Sequence, residues 1–209
     1  IGILSKYAIL YFLISIVISI GFSKRIKNLI INKNFLLCIL LSIIIIFPHV
    51  LWNWNNSFVT FNHTLDNANL SHLKINLIEP LYFLTSQFIV FGALPLIFIF
   101  SKALSYKNLI KLEEIQKLLC FWFLFPIFLI IILAFFSRAN ANWAVVGFPF
   151  GCIFLGTLFK KNSKYMIILS AGSQIFFSLI ILILVFSKNQ KLNPILKWNF
   201  VKQLSAELK

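Results

Sequence analysis

Apolar runs of about twenty residues recur along this chain, and one of them, FLLCILLSIIIIFPHVLWN at 35–53, contains no Asp, Glu, Lys or Arg. A helix rises ~1.5 Å per residue, so a run of this length crosses a hydrocarbon layer of ~30 Å. In that layer every backbone N–H and C=O must be bonded within the protein, which leaves helices and closed barrels as the structures able to span it. Barrel strands alternate apolar and polar residues, whereas these runs are continuous, so helices are selected. The pattern predicts an all-α, polytopic transmembrane helix bundle of about six spans, near 2–22, 35–53, 80–101, 119–136, 143–159 and 165–187. Composition agrees: 11% of the residues are charged, against about a quarter in a soluble domain.

Lysine and arginine set the orientation, because loops rich in them stay on the cytoplasmic side. Loop 23–34 carries Lys24, Arg25, Lys27 and Lys33; loop 102–118 carries Lys102, Lys107, Lys111 and Lys117; loop 160–164 carries Lys160, Lys161 and Lys164. The two intervening loops, 54–79 and 137–142, hold only Lys74 and Arg138. The alternate basic loops are therefore expected in the cytoplasm, with the first span running inward. This distribution accounts for most of the net charge of +14 without a nucleic-acid partner, and no nucleic-acid-binding motif is present. The segment YKNLIKLEEIQKL spaces its apolar residues as a helix on the cytoplasmic surface would, or forms a solvated connector, with Glu113 and Glu114 facing water.

At the two ends the pattern is less regular. The chain opens on Ile1 with IGILSKYAILYFLISIVISIGF, which reads as the inside of a span and not as a secretion signal, so an upstream part of a longer protein is expected. The basic tail 188–209, with Lys188, Lys191, Lys197, Lys202 and Lys209, is expected outside or on the membrane interface. Cys38, Cys120 and Cys152 lie inside apolar runs with no paired spacing, as buried free thiols do.

Polar side chains inside a membrane are costly and point to function. With the orientation above they converge on the outer side. Lys6 lies near the outer end of the first span. His63, Asp66, Asn67 and Asn69 fall in the long external loop, and Glu79 opens the third span. Gln87 lies about two turns deeper, and Arg138, Asn142 and Trp143 lie in or beside the second external loop. Cations beside amides suit a phosphate whose attached group also needs hydrogen bonds. Asp66 or Glu79 is a candidate general base if its surroundings tune it. Each has a plainer reading. Lys6 can snorkel to the interface, Asp66 can cap a loop helix, Gln87 can bond across helices, and Trp143 can anchor at the headgroups. His63 and His72 beside Asp66 lack the close spacing of a metal site, and no cofactor motif is present.

Four segments together carry a resemblance. GILSKYA, FPHVLWNWNNSFVTFNHTLDNANL, SQFIVFGALPL and SRANANWAVVGFPF resemble, in order, motifs of bacterial membrane glycosyltransferases related to protein O-mannosyltransferases and the lipid A aminoarabinose transferase. The resemblance implies a partial GT-C fold in the bacterial inner membrane. It also implies an enzyme that takes a sugar from a polyprenyl-phosphate carrier and gives it to a lipid, glycan or protein on the periplasmic side. By match of position, Lys6 would sit near the carrier phosphate. His63, Asp66, Asn67 and Asn69 would belong to the loop that closes on the donor, and Arg138, Asn142 and Trp143 to the later external loop.

The chain departs from that pattern in places. The family's catalytic aspartate lies in a loop upstream of anything present here, so this stretch by itself is expected to lack the base. The family's Gly-Pro pair is loosened to Gly92-Ala-Leu-Pro95, Phe58 stands for a tryptophan, and Phe148 or Phe150 for a tyrosine. Two other readings stay open: a non-catalytic membrane subunit or remnant, and a flippase or transporter for a lipid-linked sugar, although spans two, four and six carry no mid-depth charge.

Overall fold

The computed structural model describes residues 7–68, 75–158 and 164–186. Among them the secondary structure is helical, with no strand. Helix α1 (Ile9–Ser19) leads through a sharp elbow into α2 (Lys24–Ile31), then α3 (Lys33–Asn55) and α4 (Val59–Ala68). Next come α5 (Ile78–Gln87), a π-helical turn (Phe88–Gly92) and α6 (Ala93–Ala103), which together form one apolar helix of 26 residues. The chain continues through α7 (Tyr106–Lys111), α8 (Glu114–Ala134), a 3-10 segment (Ala141–Gly147) that runs into α9 (Phe148–Leu158), and α10 (Lys164–Phe186). Four of these helical stretches are long and apolar enough to cross a membrane: Lys33–Asn55, Ile78–Ala103, Glu114–Ala134 and Ala141–Leu158. They coincide with four of the predicted runs. A fifth arises if α1 and α2, bent by 106°, count as one broken span. The last predicted run is helical as α10, and the basic tail 188–209 lies outside the described residues.

Helix α8 is the central post. Its side chains at Leu119, Phe123, Ile127, Ile130 and Ala134 recur at helical spacing and are all buried. Helices α1, α5 and α9 pack around it. Small residues allow the close approach, as is usual where no hydrophobic force acts between helices in lipid. On α1 the inward stripe is Ala8, Ser15 and Ser19. Trp122 on α8 donates from Nε1 to Ser19 Oγ at 3.4 Å. On the other side a Cβ at Gly147 would stand 2.9 Å from the carbonyl oxygen of Phe123, and one at Gly151 only 2.5 Å from its ring.

Helix α3 is built the other way round. Asn53 is its one buried residue, while Leu40, Ile43, Ile44, Ile45 and Phe47 are each about half exposed. A soluble helix would reverse this, so α3 is a helix for a lipid surrounding. Its main neighbours are α2 and α4.

Two local breaks differ from the sequence expectation. The cytoplasmic helix foreseen over YKNLIKLEEIQKL is two helices: α7 stops at Leu112, which is extended (ψ 142°). Gln116 Oε1 accepts from Glu113 N at 3.1 Å and starts α8 afresh. In the third span, Pro95 lacks an N–H and would collide with the carbonyl one turn before it. The π turn absorbs this, with Gly92 at φ +110°, a conformation open to glycine. Gln174 of α10 closes on Gly92 so tightly that a Cβ there would lie 2.3 Å from its Nε2.

Candidate functional site

Cross-helix bonds fix which ends lie together. At the basic end, Ser23 Oγ donates to Glu114 Oε1 at 2.5 Å, joining the α1–α2 elbow to the start of α8. Gln116 Nε2 donates to Thr157 Oγ1 at 3.3 Å, joining that start to the end of α9. At the opposite end, Asn76 N donates to the carbonyl of Phe135 at 2.8 Å, so the start of α5 lies beside the end of α8. Asn76 Oδ1 meanwhile accepts from Ile78 N at 2.8 Å and Glu79 N at 3.3 Å, capping α5. Glu114 is exposed, as the sequence suggested, and is also bonded to Ser23 and to the Arg25 N–H.

The C-terminal end of α3 holds a polar network that sequence reasoning missed. Tyr7, at the start of α1, places its hydroxyl 3.0 Å from His49 Nε2 and 2.7 Å from Thr60 Oγ1. Thr60 donates to Asn53 Oδ1 at 2.5 Å, and Asn53 Nδ2 lies 3.0 Å from His49 Nε2. Counting protons orders these contacts. Thr60 has one proton, given to Asn53, so Tyr7 donates to Thr60. With the proton on His49 Nε2, donation runs His49 to Tyr7 to Thr60 to Asn53. With Nε2 bare, Asn53 donates to it and Tyr7 shares its single proton between two acceptors.

A tight reversal makes this network possible. Phe58 N donates to the Asn53 carbonyl at 2.7 Å, closing the end of α3. Ser57 (φ 54°) and Phe58 (φ 55°) both adopt positive φ. That conformation costs non-glycine residues roughly 1–2 kcal/mol each, and such residues cluster at functional sites. The edge-on packing of Trp54 and Phe58, 5.7 Å between ring centres, helps hold it. The turn swings Thr60 back over Asn53 and starts α4. The loop 54–79, expected to be external, is therefore partly a helix.

The predicted site residues divide into two groups. His63 and Asp66 are exposed on α4, one and two turns beyond Thr60. Asn67 lies on the same helix, while Lys6 and Asn69 fall outside the described residues; Lys6 immediately precedes Tyr7 in the chain. Arg138 is exposed just past the end of α8, and Asn142 is exposed at the start of the 3-10 segment. Gln87 is the exception, fully buried at the end of α5. Its Nε2 donates to Ala141 O at 3.1 Å, to Ser86 Oγ at 3.1 Å and to Phe83 O at 3.3 Å, pinning the loop 137–142 and the start of the 3-10 segment to α5. Its Oε1 is buried without a partner among the described residues. Trp143 packs its ring against the core. Gln87 and Trp143 thus shape the loop from beneath, while His63, Asp66, Arg138 and Asn142 stand at its surface.

The missed signal was in the sequence. His49 and Asn53 are four apart on one helix, and Tyr7 and Thr60 sit inside the segments GILSKYA and FVTFNHT that carried the resemblance. Averaged hydropathy hides a polar pair within a 23-residue apolar helix.

No family model matches the chain, and no solved structure matches it. Among curated proteins it is similar to the lipid A galacturonosyltransferase RgtD of Rhizobium johnstonii, with 30% identity over 122 residues, which is 58% of this chain. The matched region is 25% of that protein, so the chain corresponds to a quarter of its length. A chain that is helical among its described residues, with several membrane-length helices, thus shares a region of similarity with a lipid A galacturonosyltransferase.

Proposed function

We propose that the chain forms part of an inner-membrane glycosyltransferase of GT-C type, with six spans, that takes a sugar from a polyprenyl-phosphate carrier. The acceptor is a lipid, glycan or protein on the periplasmic face. The single observation that carries this reading is the likeness to a lipid A galacturonosyltransferase. The outer polar network supports it, because it ties the start of α1, next to Lys6, to the loop helix bearing His63 and Asp66. Lys6 and Arg138 are cations for the departing carrier phosphate, and charge stabilisation of this kind often contributes more to rate than any other effect. Asn67, Asn69 and Asn142 are amides for the sugar, with Gln87 and Trp143 holding the second loop. The acid that deprotonates the acceptor comes from the rest of the intact protein.

The test is sugar transfer by the intact protein in proteoliposomes, with a panel of polyprenyl-phosphate sugars as donors. Lys6→Ala and Arg138→Ala each lower turnover by roughly 100-fold, the scale for losing one charge-stabilising group. Turnover unchanged in both variants overturns the phosphate assignment. Carrier flipping without any sugar transfer overturns the enzyme reading in favour of a transporter.

A further inference from the structure

At the basic end, α2 and α8 border an open cleft of about 430 Å³, with its α2 side exposed. Its two walls follow from helical spacing. Arg25, Asn28, Leu29 and Asn32 stand at i, i+3, i+4 and i+7, one stripe of α2 continued into its C-cap. Ile115, Leu118 and Trp122 stand at i, i+3 and i+7, one stripe of α8. One wall carries a guanidinium and two amides; the other is apolar.

The elbow holds these walls apart. The 106° bend turns α2 across the axis of α1. Ser23 fixes the bend twice: its Oγ accepts from Ile26 N at 3.2 Å, capping α2, and donates to Glu114. The Glu114 carboxylate is occupied there, because Oε1 also accepts from Arg25 N at 3.4 Å. Ile26, only 5% exposed, wedges against the bundle. Asn32 Oδ1 accepts from Asn34 N at 2.9 Å, so the amide NH2 is what Asn32 has to offer a ligand. Lys24 and Lys27 on α2 and Lys117 on α8 are exposed and add positive charge to the two helices that form the cleft.

We propose that this cleft binds the headgroup of an anionic phospholipid of the cytoplasmic leaflet. The phosphodiester lies against Arg25, Asn28 and Asn32, and the glycerol with the first acyl carbons lies along Ile115, Leu118 and Trp122. An amphiphile fits because one wall is polar and the other apolar. An anion fits because guanidinium and amides supply donors at that wall. Its height fits too, since short basic loops at this end place it at the headgroup level of the cytoplasmic leaflet. The site is at the opposite end of the bundle from the proposed transfer chemistry, so the two readings stand separately.

Native mass spectrometry of the purified protein, released from bilayers of mixed phosphatidylglycerol and phosphatidylcholine, tests this. The protein retains phosphatidylglycerol in preference to phosphatidylcholine. Arg25→Gln weakens that retention roughly tenfold, the fold-change for one charge-assisted hydrogen bond. Leu29→Trp fills the cleft without altering charge and weakens it as well. Asn28→Leu, at an exposed position, gives the same result by a second route should Arg25→Gln fail to fold. Lys107→Gln, on the same membrane face but away from the cleft, leaves retention unchanged, and millimolar inorganic phosphate does not compete. Equal retention of both lipids, an equal loss from Lys107→Gln and Arg25→Gln, no effect of Leu29→Trp, or displacement by phosphate each overturns the proposal.

Discussion

Thr60 serves two bonds through one oxygen, donating to Asn53 and receiving from Tyr7, so it is the member of the outer network whose loss is felt on both sides. Thr60→Val keeps the shape and removes both bonds. The change destabilises by about 1–2 kcal/mol, since Asn53 is buried and is left short of a donor. Thermal unfolding in detergent measures this, and hydrogen exchange at the amides of 56–62 accelerates in the variant. Ser57 makes the complementary case. At φ 54° a glycine is at ease, so Ser57→Gly is neutral or stabilising by up to ~1 kcal/mol, whereas Ser57→Val loses more than ~1 kcal/mol. Equal midpoints for the two Ser57 variants contradict the left-handed assignment.

Among elements, the seam between α8 and α9 is the least forgiving. Gly147 faces the carbonyl of Phe123, which is backbone and has nowhere to move, so Gly147→Ala forces the helices apart. A loss of about 1–3 kcal/mol follows, the usual range for overpacking, read again as a fall in unfolding midpoint. Gly156, inside α9 with nothing within 4 Å of its would-be Cβ, is the control, and Gly156→Ala leaves the midpoint unchanged or raises it. Such seams explain what could be read beforehand. Where α3, the third span and α8 lie was legible because an uninterrupted apolar run needs no partner to identify it. The π turn was legible only as a loosened Gly-Pro pair, and the close approach of Gln174 to its Gly92 comes from eighty-two residues away in sequence. Helix α4 was concealed because its segment VTFNHTLDNA has no continuous apolar run, and what starts it is the reversal at Ser57 and Phe58. Of the candidate site, counting lysines gave an expected side of the membrane, which the labelling experiment below tests. The bonds of Tyr7 to His49 and Thr60 span 42 and 53 residues, beyond the reach of any local periodicity.

For the whole molecule, the pairing of helix ends makes a testable statement about sides. Cysteines introduced as Asp66→Cys and Lys107→Cys lie at opposite ends of the bundle. A membrane-impermeant maleimide labels the first in intact cells and the second only after the membrane is opened; the reverse result inverts the orientation. Helix α3 adds a further consequence. Its neighbours are chiefly α2 at one end and α4 with Tyr7 at the other, and the apolar side chains between are exposed. Between those moorings no described residue outside α3 buries its apolar side chains, so little there distinguishes leucine from isoleucine or phenylalanine. The middle of α3 should therefore drift freely in sequence among descendants, a silent stretch suspended between two anchorages that cannot change.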